Sequence, residues 1–261
     1  MKILVLGDVF GRVGQRMVKE QCKNLLLMIK PDFFIINGEN LAGGFGITKS
    51  GIKEMFDAGV DIVTSGNHIW DKKEVFKIFE TEDRLLRPAN IPPGAPGVGY
   101  HIYEKGNYRI GVLNLMGRIF MDPVDCPFKA ADQGLEYFKR ESINHIFVDI
   151  HAEATSEKEA LFHHLDGKVS ALWGTHTHVP TADERVSKKG TAYITDVGMT
   201  GPYDSIIGVE SHIILKRFIS KLPERFKEAE GIGELNGIIL EVDNATGKSR
   251  SINRARVIEN E

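Results

Sequence analysis

The sequence predicts an α/β protein with sheets of mixed strand direction and helices on the outside. Three observations carry this. From Lys2 to Phe79, apolar strand-like runs alternate with segments of helical spacing, the pattern of a parallel sheet covered by helices. Beyond residue 100 the rhythm changes to hairpins: Tyr100–Tyr103 with Tyr108–Leu115 across Lys105-Gly106-Asn107, and Ile238–Val242 with 250–257 across Asp243 to Lys248. The proline- and glycine-rich run 88–99 resembles a linker, but candidate ligands lie on both sides of it. A single domain over 1–261 is therefore expected, with no internal repeat and no low-complexity segment.

Taken in order, Lys2–Gly7 is a short buried strand. Arg12–Lys30 carries apolar residues at 13, 17, 25, 26 and 29, a helical spacing that stops before Pro31. Phe33–Ile36 is the second strand, and Gly43, Gly44 and Gly46 free the backbone of the loop that follows. Thr48 is placed to cap a helix reaching Ala58, with Gly59 as its stop. After the strand Val60–Val63, Asp71 and Glu74 have the spacing of a capping box for a helix through Phe79. Residues 117–130 read as a long loop before a helix to about Arg140. Ile146–Ile150 is a strand that ends at His151. Ser156 and Glu159 form a second expected capping box, for a helix through Leu165, and Val169–Trp173 and Tyr193–Ile194 are further strands.

The chain has 261 residues, 42% hydrophobic and 26% charged, which suffices for a substantial core. A formal net charge of -3 argues against a general binder of long nucleic acid or of membrane surfaces. Cys22 and Cys126 have neither zinc-type spacing nor the numbers of a disulfide framework. The apolar run Ile3–Leu6 is broken at once by Gly7-Asp8, so no signal peptide is read. No stretch approaches the ~20 apolar residues of a membrane span. A cytoplasmic protein without membrane partners is expected.

The chemistry concentrates at strand ends, where the loops of an α/β fold converge. Asp8, Glu39-Asn40, Asn67-His68, His151 and the pair His176 and His178 each follow an apolar run, and all carry oxygen or nitrogen donors. Any one has a plainer explanation: a carboxylate after a strand is commonly a helix cap, and a lone His-x-His is commonly incidental. The joint occurrence is harder to explain as capping, because Gly7, Gly38, Gly66 and Gly174 each precede the polar residues, leaving room for the backbone to approach a cofactor. Past a strand end, His176 and His178 can face the same side because extended chain repeats its facing every second residue. By contrast, His163-His164 falls on a helix surface, His101, His145 and His212 lack companions, and Gly247-Lys248-Ser249 lacks the upstream glycine of a P-loop.

In this order the elements resemble the calcineurin-like metallophosphoesterase superfamily. The wording GDVFGRVG, INGENLAGGFGIT, TSGNHIWD, DIHAEATSEK and WGTHTHVPTAD is similar to its YmdB-type branch, whose members are described as cyclic nucleotide phosphodiesterases. The resemblance covers essentially the whole chain and implies the superfamily fold, a sandwich of two mixed β-sheets flanked by α-helices. It also implies two metal ions bridged by Glu39, one held by Asp8, Asn40 and His178 and the other by Asn67, His151 and His176. His68 would stand beside the phosphate as acid or electrostatic stabiliser. Two departures from the wider superfamily are Phe10, where many members carry a histidine, and Glu39 in place of a bridging aspartate. Iron or manganese is the expected metal; the N and O donors leave zinc and magnesium open and exclude a zinc–thiolate site. The implied activity is hydrolysis of a small cyclic nucleotide such as 2′,3′-cAMP by attack of a metal-bound hydroxide. The alternatives are a phosphomonoesterase and a non-catalytic nucleotide-sensing regulator. The oligomeric state stays open, a homo-oligomer included.

Overall fold

In the computed structural model, which describes residues 1–259, the first part of the chain forms β1 (Lys2–Val9), α1 (Gly11–Glu20), α2 (Cys22–Ile29), β2 (Phe33–Asn37), α3 (Lys49–Asp57), β3 (Ile62–Thr64) and α4 (Glu74–Ile78). Then come β4 (Tyr100–Lys105), β5 (Tyr108–Met116), α5 (Pro127–Arg140), β6 (Ile146–His151), α6 (Thr155–Leu165) and β7 (Ala171–Thr175). The chain continues through β8 (Arg185–Val186), β9 (Ala192–Ile194), β10 (Met199–Pro202), α7 (Ser211–Ser220), β11 (Gly233–Val242) and β12 (Ser249–Ile258). The last two residues of the expected 1–261 domain lie outside the described residues. No helix among the described residues is long and apolar enough to cross a membrane.

Two six-stranded sheets result, ordered β12-β11-β10-β1-β2-β3 and β4-β5-β6-β7-β9-β8. Within the first, β10, β1, β2 and β3 are parallel, and β11 runs antiparallel to β1, β10 and β12. Within the second, β5, β6, β7 and β9 are parallel between antiparallel edges β4 and β8. Both central regions are covered on two faces, which is why their strands read as unbroken apolar runs rather than alternating ones. Along β1, Ile3 and Val5 point between the sheets, toward a core that includes Phe147 and Trp173. Leu4 and Leu6 point the other way, onto Val13, Met17 and Met55 of α1 and α3. The second sheet repeats the arrangement, with Leu113, Val148 and Ile150 packed under Phe138 and Leu161 of α5 and α6. The expected fold of two mixed sheets flanked by helices is the one observed.

Several local expectations need correction. The segment 12–30 is two helices divided at Gln21, and it ends on Lys30 in a left-handed conformation (φ 50°) before Pro31. Thr48 does cap α3, accepting from the Gly51 amide at 3.2 Å. Neither capping box forms. Glu74 instead accepts the Lys49 amide (2.9 Å), Asp71 turns to His68 (2.8 Å), and Glu159 takes Arg185 (2.9 Å). For Glu74 and Glu159 a tertiary partner outcompetes the local backbone, and for Asp71 a side chain three residues upstream does. The loop expected over 117–130 stops earlier, because Pro127 opens α5 from the first-turn position that its missing N–H favours. β8, β10 and α7 have no counterpart in the sequence reading.

The glycines at the strand ends mostly serve the sheets. A Cβ on Gly7 would lie 1.7 Å from the Gly198 carbonyl oxygen, and one on Gly174 would lie 1.8 Å from that of Thr195. They make room for adjacent backbone rather than for a cofactor. Since backbone cannot swing aside as a side chain can, Gly174→Ala is expected to cost about 1–3 kcal/mol. That corresponds to a Tm lower by roughly 2–12 °C in a thermal melt.

Candidate metal centre

The carboxyl ends of β1, β2, β3, β6 and β7 meet along one edge of the two sheets. β1 brings Asp8, the turn after β2 brings Glu39 and Asn40, and β3 leads into the 3-10 turn Asn67–Trp70. From the other sheet, β6 ends on His151, and β7 ends on Thr175 just before His176 and His178. The His-x-His segment is not extended: His176 and His178 both have positive φ, 98° and 66°. Such backbone costs of order 1–3 kcal/mol per non-glycine residue and persists only where the surroundings enforce it.

The enforcement comes from Asp196. Its Oδ2 accepts the Thr177 amide (3.2 Å), the Thr177 hydroxyl (2.8 Å) and Lys158 Nζ (2.8 Å), while its Oδ1 accepts the Gly198 amide (2.8 Å). Lys158 also donates to the Thr175 carbonyl at 2.8 Å. Both charged side chains are wholly buried, so this ion pair grips the loop from beneath on both sides of His176.

Around His151 Nε2, Asn67 Oδ1 lies at 3.0 Å, Glu39 Oε1 at 3.1 Å and His176 Nδ1 at 3.1 Å. Glu39, His151 and His176 can each place one ligand atom within 4.8 Å of the others. A second grouping adjoins it, with His178 Nε2 3.9 Å from Asp8 Oδ1 and Asn40 nearby in the same cavity wall as His178. The ring nitrogens that face away are held. His151 Nδ1 meets Thr175 Oγ1 at 2.9 Å, and that hydroxyl donates to Asp149 at 2.8 Å. His176 Nε2 meets Glu153 at 3.2 Å, and His178 Nδ1 meets the Ile207 carbonyl at 2.9 Å. Partners of this kind fix ring orientation and leave the opposite nitrogen free to coordinate.

Charge is tightly organised here. Burial works to raise Glu39, but the charge and hydrogen bond of His151, followed by His68, bring its pKa down to about 2. Burial works to lower His151, yet Glu39, Asp8 and Asp149 hold it up at about 9. His176 is pushed down to about 3 by burial and by His151. Burial raises Asp8 despite His178 and His151.

The donor set fits divalent cations. Asp8 Oδ1 and Asn40 Oδ1 are buried without any hydrogen-bond partner among the described residues. A buried acceptor left unsatisfied costs about 1–3 kcal/mol, and two such oxygens beside a nitrogen- and carboxylate-lined point are what a cation would satisfy. Asp8, Glu39, Asn40, Asn67, His151, His176 and His178 thus border one centre.

His68 adjoins it. Its amide donates to Glu39 Oε2 (3.0 Å), and its Nδ1 lies 2.8 Å from Asp71 Oδ2. The residue lines a cavity of ≈ 330 Å³ shared with Glu39, Asn40, His176 and His178. Phe10 is buried, with its ring 5.6 Å from that of His178 and nearly perpendicular to it, an apolar contact beside the cluster. Of the glycines, Gly66 is the one that clears the site: a Cβ there would lie 2.3 Å from His151 Nε2. Asp71, Glu153, Lys158 and Asp196 were not read from sequence as part of the site. Asp71 stands three residues after His68, a usable signal that the capping-box reading absorbed. Lys158 and Asp196 carry no local signal.

The profile of a protein family described as "YmdB-like protein" matches residues 4–255. A 2′,3′-cyclic-nucleotide 2′-phosphodiesterase of Bacillus subtilis (strain 168) is 49% identical over 255 residues, 97% of this chain and 96% of that protein. Among solved structures, a hypothetical protein from Thermus thermophilus has a TM-score of 0.94 at 43% identity, with 100% of both chains covered. A 5′-nucleotidase precursor of the same organism has a TM-score of 0.62 at 14% identity, covering 99% of this chain and 54% of its own, and shares the fold alone.

Removing one partner of the buried pair beneath the loop strands the other. Lys158→Met is expected to destabilise the protein by about 3–5 kcal/mol, read as a lower urea midpoint. An unchanged midpoint would show that Asp196 is adequately satisfied by Thr177 and Gly198.

Proposed function

Because the chain belongs to the YmdB-like family, we propose that it is a binuclear metal-dependent phosphodiesterase that opens 2′,3′-cyclic nucleotides to 3′-nucleotides. The observation that carries this reading is the pair of orphaned buried oxygens on Asp8 and Asn40, set beside the convergent Glu39, His151 and His176. The activity named for the Bacillus relative supports the substrate class. A cavity of ≈ 330 Å³ is of a size that suits a mononucleotide.

Asp8, Asn40 and His178 would hold one ion, Asn67, His151 and His176 the other, and Glu39 would serve both. Iron or manganese is the proposed metal, in keeping with the hard oxygen and imidazole donors. When bound, two such ions supply Lewis-acid charge and lower the pKa of an attacking water. Water adds to phosphorus and gives up one proton to solvent, the bond from phosphorus to O2′ breaks, and the phosphate stays on O3′. His68 hands a proton from Nε2 to the departing O2′. Asp71 fixes the ring by accepting from Nδ1 (2.8 Å), leaving Nε2 for the substrate. Residues 1–261 are proposed to act as one domain, since both sheets contribute ligands. The two cysteines are free, which fits a cytoplasmic location.

His68→Ala is expected to keep its metals, measured by elemental analysis, while turnover of 2′,3′-cAMP with Mn²⁺ falls about 10²–10⁴-fold. Faster turnover of mononucleotides or phosphopeptides than of cyclic nucleotides would overturn the substrate assignment. For the ligands, His176→Ala should empty the position shared with Asn67 and His151, and His178→Ala the one shared with Asp8. Loss of the same ion from both variants would refute the pairing.

A further inference from the structure

The phosphate chemistry leaves one wall of the cavity unexplained. Besides the polar residues, the cavity is lined by Phe45 and Phe226, which are brought together from distant parts of the chain. Phe45 sits in Gly43-Gly44-Phe45-Gly46, where all three glycines have positive φ (69°, 89° and 78°). That backbone, inaccessible to most side chains without strain, sets the Phe45 ring edge-on to His68, with centroids 4.9 Å apart. Phe226 follows α7 and lies nearly parallel to Phe45, 12° between planes and 6.3 Å between centroids. This separation is near the outer limit for a direct aromatic pair. The guanidinium carbon of Arg217 stands 4.7 Å from the Phe226 centroid and supports that ring. Both phenylalanines remain partly exposed, Phe226 while also packing against the small cluster of Phe10, Met199, Val209 and Ile214.

In a nucleoside 2′,3′-cyclic phosphate the base is one ribose away from the reacting phosphorus. An aromatic surface that begins at the neighbour of His68 lies within that reach. We propose that Phe45 and Phe226 form the nucleobase-recognition surface, stacking the base while the cyclic phosphate faces His68 and the ligand cluster. The two rings thereby select nucleoside cyclic phosphates over phosphodiesters that lack a base. Stacking suits this role because every base has a π-face. The inference rests on the cyclic-nucleotide reading above and adds to it the residues that set specificity.

The test uses Mn²⁺-loaded full-length enzyme and compares kcat/KM for 2′,3′-cAMP with that for glycerol 1,2-cyclic phosphate, which has the same five-membered cyclic diester and no base. The wild type should prefer 2′,3′-cAMP. Phe226→Ala should reduce that preference by roughly 5- to 150-fold, the range of base–aromatic stacking on alanine substitution, and Phe226→Trp should restore it. Equal turnover of the two substrates by the wild type, or an unchanged ratio in Phe226→Ala, overturns the proposal. Phe45→Leu gives the same ratio test should Phe226→Ala fail to fold. If the wild type hydrolyses neither diester, the phosphodiesterase reading has failed, and calorimetric binding of 3′-AMP against glycerol phosphate takes over. Selective weakening of 3′-AMP in Phe226→Ala then supports the aromatic surface, and equal binding refutes it.

Discussion

Four carboxylates, Asp8, Glu39, Asp149 and Asp196, are buried at the shared edge of the two sheets, each essentially without solvent contact. Carboxylates in such surroundings repel one another and lose hydration, so each needs a partner or is driven toward its neutral form. The fold gives each a different answer. Asp196 has Lys158, Glu39 has His151, and Asp149 accepts hydroxyl hydrogen bonds from Thr64 and Thr175. Burial still raises Asp149 to about 6. For Asp8, the Oδ1 atom finds no hydrogen bond among the described residues. The edge is therefore neutralised in layers, with permanent charge beneath and a shortage of positive charge at the surface facing the cavity.

The lower layer shapes the upper one. Lys158 and Asp196 hold Thr175, Thr177 and Gly198 from below, and the positive φ of His176 and His178 follows from that grip. His176 is thus turned to His151 and His178 toward Asp8, so the two imidazoles diverge to different groupings. An extended His-x-His would have carried both rings on one line. The strained backbone separates them, and the buried ion pair sustains the strain.

Much of this was legible in the sequence because strand ends are local features. Asp8, Glu39, Asn40, Asn67, His151, His176 and His178 each stand just past an apolar run, and parallel strands carry such positions to one edge. The two-sheet fold was legible for the same reason, through family wording spread along the whole chain. What failed were local rules with tertiary competitors. Glu74 and Glu159 fit capping boxes by spacing, yet each found a better partner elsewhere in the fold, while Asp71 turned back to His68 three residues upstream. Gly7 and Gly174 pointed to the right strand ends for a different reason, since adjacent backbone and not a cofactor fills the space they leave. α7 buries Ile214 alone among its residues and gives little periodic signal. Lys158 with Asp196, and Phe45 with Phe226, are pairs that the folded chain alone brings together.

On the proposed pairing, Asp8 and Asn40 come from the first sheet and His178 from the second. In the other group, Asn67 comes from the first sheet, while His151 and His176 come from the second. Each ion would therefore span the junction between the sheets, and Glu39 would reach across it as well. The apolar core that joins the sheets, with Ile3 and Val5 on one side and Phe147 and Trp173 on the other, sets the spacing of both ligand groups before any metal binds. Packing density in such a core leaves little freedom to slide. On that reading, hydrophobic contacts beneath the site would fix the spacing of the ligand groups, while the loops above, carrying Phe45, His68 and Phe226, would set which substrate is taken.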